Sequence, residues 1–443
     1  MIEQLRRTAN AARGQNGSPS VSRLLTGRAG SLPLRLLLLA ASVIPAVLAQ
    51  HAYTWQELRD KFEASNPSIQ AAKLAVDESR ASEITAYLRP NPGLTAALDQ
   101  IDPFTPSPYR PLGYTFPMVS LNYLHEREHK RELRRDSARQ ATGIAESALA
   151  DQERSLLFNL RAAFVQTLQA KSVLKTTREN LEYWDKVLRV SSDRLKAGDI
   201  AQIDLDRLEL QRIQFEADVQ TAEVNLRTAK IQLLQLLNER TPVDSFDVGG
   251  PFDFPDQIPA LEDIRKAALD NRPDLRAALQ AVEKANTDHK LAVSNGSADP
   301  TFSVDFGRNP PIPVYFGVSI NIPLRIFDRN QGEKQRTEID MRRAVQVTEA
   351  TRAQVFSDVD SAYAQTSSSL TLLKPYKAKY LVQAARVRET VAFAYQRGGA
   401  TLLDFLSAEN DYRSVQLNYL NLVGAYMTSA GQLNLAAGRE VIQ

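Results

Sequence analysis

From Leu205 onward, apolar and small side chains return at alternating steps of three and four. Positions 205, 208, 212, 215, 219, 222, 226, 229, 233 and 236 read Leu, Leu, Arg, Phe, Val, Ala, Leu, Ala, Leu, Leu. Two hundred residues later the same positions read Phe, Ala, Tyr, Val, Tyr, Leu, Tyr, Ser, Leu, Ala. A sustained period of 3.5 predicts helices packed along a seam, in coiled-coil fashion. The stretch from about Leu121 to Lys196 lacks proline and predicts one helix on the order of 110 Å long. A second long helix is expected from about Gln331 to Arg397, with Pro375 kinking it or marking a local break. Helices of that length cannot bury their surface in one chain's globular core, so they need partner helices.

Between the helical stretches the period changes to two. Phe302, Val304 and Phe306 share one face of a predicted strand, and Tyr315-Phe-Gly-Val318-Ser-Ile320-Asn-Ile322 continues the alternation. In the first half Leu94, Ala96 and Leu98, then Leu112, Tyr114, Phe116 and Met118, repeat it more weakly. Each run of about 8–10 residues is near the length of a tilted strand crossing a bilayer. Proline-rich links, Asp102-Pro-Phe-Thr-Pro-Ser-Pro108 and Asn309-Pro-Pro-Ile-Pro313, join the members of each pair. An amphipathic hairpin on a soluble sheet has the same alternation. Four strands alone cannot close a barrel, and an open sheet edge cannot face lipid; three copies would supply twelve strands.

The chain also repeats itself. Lys196-Ala-Gly198-Asp-Ile-Ala-Gln-Ile-Asp204-Leu-Asp-Arg-Leu-Glu209 aligns with Gln396-Arg-Gly398-Gly-Ala-Thr-Leu-Leu-Asp404-Phe-Leu-Ser-Ala-Glu409 at a constant offset, and Asn66-Pro67 corresponds to Arg272-Pro273. The expected organisation is two repeats, 50–250 and 251–438, followed by a tail at 439–443. Each repeat is read as a short helix, a strand pair (93–119 and 300–323), a very long helix, a tight turn (near 198 and near 398) and a medium helix. A link rich in proline and glycine at 239–262 joins them.

Composition and charge sharpen this picture. Cysteine is absent from the 443 residues, which excludes disulfides, thiol catalysis and zinc–thiolate sites. Arg23, Arg28 and Arg35 precede an apolar run, Leu36 to Leu48, closed by small residues. This predicts a secretory signal over 1–49, because the run is too short for the ~20 residues of a spanning helix. Six of the 54 basic residues and one of the 52 acidic ones fall within that segment, so the remainder carries a net charge of −3. A nucleic-acid partner is thereby excluded. No long apolar run follows residue 49, so entry into a membrane would have to be by strands.

These residues together resemble the TolC family, the outer-membrane factors of tripartite efflux systems, over essentially all of 50–438. The likeness is carried by Asn66-Pro67 before an Ala-rich helix, Leu88-Arg-Pro-Asn-Pro92, the duplicated Gly-x5-Asp turns, and Ile320-Asn-Ile-Pro-Leu-Arg-Ile-Phe-Asp-Arg-Asn-Gln-Gly332. The last of these is similar to the strand-to-helix junction of the CzcC-like, heavy-metal branch. The resemblance implies a mostly α fold with a small β part: a coiled-coil helical tunnel in the periplasm and a transmembrane barrel of four strands per protomer, twelve in a homotrimer. It implies a passive conduit in the outer membrane of a Gram-negative bacterium, not an enzyme. The conduit would need no cofactor and would be served by a periplasmic adaptor and an inner-membrane pump, of RND type. Asp404 matches the first of the family's gate acids, while Ser407 stands where the second would be. Asp204 and Arg207 are candidates for ion pairs between neighbouring tips. Gly198, Gly398, Gly399, Leu205 and Phe405 are the expected tip-turn and adaptor-contact residues.

His125-Glu126-Arg127-Glu128-His129 matches H-E-x-x-H, which on a helix places two histidines one turn apart to hold zinc beside a glutamate base. It runs on into a highly charged stretch, Lys130 to Asp136, and reads better as a solvated start to the long helix. A channel for drugs or for type I protein secretion is the alternative within the class. A periplasmic coiled-coil adaptor is the rival outside it, although adaptors typically carry one helical hairpin where this chain predicts two.

Overall fold

The computed structural model describes residues 52–101, 103–104, 108–113, 115–255, 257–309 and 312–442. The expected signal and Tyr114 lie outside them. The first half runs β1 (Ala52–Tyr53), α1 (Trp55–Ser65), α2 (Pro67–Tyr87), β2 (Gly93–Asp99), β3 (Phe116–Leu124), α3 (Lys130–Ala197) and α4 (Gln202–Leu236). After β4 (Asp247–Val248) come α5 (Leu261–Asn271), α6 (Pro273–Ser294), β5 (Thr301–Asn309), β6 (Ile312–Asn321), α7 (Gln331–Pro375), α8 (Leu381–Gln396) and α9 (Leu402–Ala437). The chain is mostly helical with one small sheet and a two-stranded parallel pair, β1 with β4.

The helix ends follow from local chemistry. Thr54 and Glu57 form a reciprocal capping box at α1, and the Asn66 side chain accepts from the amides of Ser68 and Ile69 with Pro67 in the first turn of α2. At the corresponding place in the second half, Arg272 cannot cap. Its guanidinium instead bonds Asp274 at 2.6 Å and Asp358 at 2.8 Å, tying α6 to α7.

The start of the first long helix changes, and the break expected in the second takes a specific form. The first begins at Lys130, not near Leu121, because β3 continues to Leu124 and Glu128 and His129 take positive φ. Its 68 residues still make a rod of roughly 100 Å. In the second, the α-helical pattern stops at Pro375, a local break of the kind the proline predicts. One π-helical turn, Tyr376–Tyr380, follows the proline, which has no N–H to donate, and leads into α8.

The apolar seams converge in separate cores. One, around Leu58, Phe62, Ile69, Phe164 and Leu233, joins α1, α2, α3 and α4 to the β4 strand; another, around Ile264, Val355, Val359, Val423, Tyr426 and Leu433, joins α5, α7 and α9. Gly438 ends α9 at φ +72, and a Cβ there would stand 3.0 Å from the backbone of Asn271 and Arg272. Gly438→Ala should therefore cost ~2 kcal/mol, from the left-handed conformation and the backbone contact together. A Tm unchanged from wild type would contradict this reading of the site.

Candidate functional site

The four longer strands form one antiparallel sheet in the order β2-β3-β5-β6, and its two faces differ in kind. Cross-strand rows on one face read Leu94–Leu121–Val304–Val318, Ala96–Val119–Phe306–Phe316 and Tyr123–Phe302–Ile320. Most of these side chains are uncovered, with Phe316 69% exposed. Rows on the other face read Thr95–Ser120–Asp305–Gly317 and Gly93–Asn122–Ser303–Ser319. Here hydroxyls and amides bond across strands, Ser303 donating to Asn122 at 2.7 Å and Asn122 to Thr95 at 3.2 Å. Tyr315 lies across Gly307, whose missing side chain makes the room. The register of β3 corrects the sequence reading by one residue: Leu112 lies in a turn, and Phe116 and Met118 point to the polar face. The apolar face of β3 is instead Pro117, Val119, Leu121 and Tyr123.

Large exposed apolar faces on a protein surface mark an interaction with another apolar phase or chain. Here the face is backed by a hydrogen-bonded polar face, which is the pattern of a wall between lipid and water. Among the described residues, β2 and β6 each have one unpaired edge. Such edges cannot stay open in lipid.

At the opposite ends of the rods, α3 turns into α4 and α8 into α9 by the same backbone geometry. Gly198 at φ +82 and Gly398 at φ +76 close the helices, with the Asp199 amide donating to Arg194 O at 2.9 Å and the Gly399 amide to Ala394 O at 2.8 Å. Among the described residues no neighbour lies within 4 Å of where a Cβ would stand at Gly198 or Gly398, so φ is what demands glycine there. The following helix starts differ. Ala201 has no capping side chain, whereas Thr401 and Asp404 form a full capping box. The Thr401 amide and hydroxyl donate to the Asp404 carboxylate at 3.0 and 2.7 Å. These bonds, with the hydroxyl first, hold its pKa below the usual carboxylate range. Asp404, Ser407 and Arg207 are exposed and Asp204 is half-buried, and among the described residues neither Asp204 nor Arg207 forms an ion pair. Leu205 and Phe405 are buried, so they pack the turns from inside; the apolar residues presented outward are Ile203 and Leu403.

Just inside the turns an aromatic stack joins the two hairpins. Trp184 is fully buried between Phe215 at 4.9 Å and Phe405 at 5.9 Å between ring centroids, and Phe405 stacks in turn on Tyr395 at 5.0 Å. The Trp184 indole donates to Leu208 O at 3.0 Å. One turn further along α9, Glu409 is buried beside Tyr183 and Arg388. The sequence gives Glu209 and Glu409 equivalent positions in the repeat, yet Glu209 is exposed. Periodicity alone could not separate them.

The H-E-x-x-H stretch does not form a metalloprotease helix. His125 to Arg127 belong to no helix or strand, Glu128 and His129 take left-handed φ, and Glu126 is engaged by the Arg134 guanidinium through both oxygens. The two histidines therefore do not share a helical face. Among the described residues, no group of three or more His, Asp or Glu is placed to hold a metal ion.

Residues 264–439 match the family model described as "Outer membrane efflux protein". The "Cobalt-zinc-cadmium resistance protein CzcC" of Cupriavidus metallidurans is 23% identical over 85% of this chain and 87% of its own length. "Outer membrane protein TolC" of Escherichia coli is 22% identical over 67% of this chain, which spans 63% of TolC. The crystal structure of the outer membrane protein VceC from Vibrio cholerae superimposes with a TM-score of 0.71, at 18% identity, covering 87% of this chain and 96% of that one. The likeness is to outer-membrane efflux proteins, over the second half of the chain by the family model. The chain is similar in sequence to CzcC and TolC, and its helical rods and small sheet are similar to the fold of solved outer-membrane channels.

Proposed function

We propose that three copies join their sheets edge to edge, β2 to β6, into a twelve-stranded barrel through the outer membrane, with the helical rods forming a tunnel in the periplasm. The observation that carries this reading is the two-faced sheet: one exposed apolar face, one hydrogen-bonded polar face, and two unpaired edges. The matching order of elements in the two halves reads as a duplicated unit that supplies two strands and one hairpin each. The conduit is passive; an inner-membrane pump of RND type and a periplasmic adaptor would deliver the substrate. The turns at Gly198 and Gly398–Gly399, with Ile203 and Leu403 beside them, are the surface an adaptor would grip. Asp404, Ser407, Asp204 and Arg207 would line or close the narrow end.

Heavy-metal cations are the favoured substrate class, on the likeness to a cobalt-zinc-cadmium resistance protein. A ring of three Asp404 carboxylates would raise cation occupancy at the opening. Purified protein in planar bilayers should give discrete, cation-preferring conductance steps. Asp404→Asn, which keeps an acceptor for the cap, should lower the cation preference by roughly a factor of two or more. Conductance with unchanged selectivity would remove Asp404 from the gate, and failure to conduct at all would count against the channel.

A further inference from the structure

Among the described residues Glu409 is the one buried carboxylate, and it lies in the apolar junction between the two hairpins. The residue is 5% exposed, and its Oε1 has no hydrogen-bond partner. Among the described residues it forms no ion pair within 4 Å, although α8 brings Arg388 close enough to act on it. The Arg388 guanidinium is clamped between two aromatic faces, Tyr183 of α3 at 4.7 Å and Tyr412 of α9 at 4.1 Å, and its Nε is also unpartnered. Tyr183 of α3 faces the Glu409 carboxyl closely enough to favour its charged form. Other charges around the junction are already engaged: Arg212 of α4 by Asp185 and Glu216, and Arg413 of α9 by Asp218 of α4. Glu389 of α8 acts on Tyr183. The cluster joins α3 to the α8–α9 hairpin, next to the Trp184–Phe405–Tyr395 stack.

We infer that Glu409 is a proton-binding site that fastens the α8–α9 hairpin to α3 just inside the turns, so that losing the proton loosens that junction. A neutral carboxyl can stay in this apolar place, whereas a carboxylate with an empty oxygen must either gain water or leave. Burial raises the Glu409 pKa to about 7, against the smaller opposing pull of Arg388 and Tyr183. The packed junction therefore takes up a proton that a hydrated Glu409, with its ordinary pKa near 4.3, would release. Between those two values each unit rise in pH favours the separated junction by up to tenfold per chain, on the order of a hundredfold over the window. If the turn end is the channel's narrow end, acid holds it shut and neutral to alkaline pH eases its opening. The proton site itself does not depend on that reading.

The test uses the full-length protein in detergent and requires no transport. Amide hydrogen exchange over the first turns of α9 is measured at pH 5.5 and pH 8 and corrected for intrinsic exchange chemistry. In parallel, infrared difference spectra follow the protonated carboxyl band. Wild type should exchange at least about tenfold faster at pH 8, with a carboxyl titrating near pH 7. Glu409→Gln, a neutral side chain of the same shape, should lose that band and exchange slowly at both pH values. Tyr183→Phe should keep the band and move its midpoint upward. A Glu409→Gln protein that retains the wild-type pH dependence, or a Tyr183→Phe midpoint that does not move, would overturn the assignment. Because neither readout involves conduction, a protein that fails to conduct in bilayers can still pass this test.

Discussion

Arginine at position 304 should keep the protein from assembling in the outer membrane, whereas arginine at position 303 should be tolerated. Val304 lies mid-strand in the row Leu94–Leu121–Val304–Val318, on the apolar face. If that face meets lipid, a guanidinium there costs roughly 2–4 kcal/mol per chain near the bilayer midplane. Three copies would multiply the cost in one assembly. Ser303 is the adjacent residue, on the face that carries Asn122 and Ser319, and arginine there would project into water at the loss of one hydrogen bond to Asn122. The quantities to compare are the amounts of each variant in the outer-membrane fraction and their resistance to protease there. Equal behaviour of the two variants would mean that the faces are not divided between lipid and water.

Arg272→Ala should be the most destabilising single change in the helical part. Arg272 is 5% exposed and bridges Asp274 of its own helix and Asp358 of α7. Burial opposes the charge, but the bonds from Asp274 and Asp358 outweigh it and raise the Arg272 pKa. Removing the cation leaves two carboxylates facing each other. Breaking a buried pair costs about 3–5 kcal/mol. Both partners are about a third exposed and can rehydrate, so the lower end applies. The pH dependence should also change. Burial raises the Asp274 pKa, but the bond and charge of Arg272 more than offset that, and the net shift is downward. A lowered carboxylate pKa gives stability that is present above the unfolded value near 3.9 and is lost as pH falls through the folded one. Arg272→Ala should remove that acid-side loss and lower Tm at neutral pH. A variant with wild-type Tm would show that the bridge contributes nothing net.

Much of this architecture was legible because its signals are periodic. The seam from Leu205 to Leu236, its copy from Phe405 to Ala436 and the alternation Phe302-Val304-Phe306 each appear in the structure as a helix or strand over those residues. The Gly198 and Gly398 turns were legible because only glycine accepts that φ cheaply. The start of α3 was not legible. Nothing in Leu121-Asn-Tyr-Leu-His says that β3 continues to Leu124, since its apolar residues suit a helix as well as a strand. Pairing with β5, a contact 180 residues away, settles it. The environment of Glu409 was hidden for a related reason. The heptad assigns positions to a face, but which face lies under Trp184 and Tyr183 depends on how two hairpins pack together. Asp404 shows the converse: its capping role with Thr401 is local, written in a four-residue span, while any role at a pore depends on neighbouring chains.

The measurement that bears most directly on the account is the location and assembly of the protein. Membranes of an expressing Gram-negative cell are fractionated, and the detergent-extracted protein is sized by chromatography with light scattering. The account predicts a trimer extracted from the outer-membrane fraction. A monomer recovered in the soluble periplasmic fraction would contradict it, because an unclosed sheet with the apolar face of Val304, Phe306 and Phe316 has no stable place in lipid.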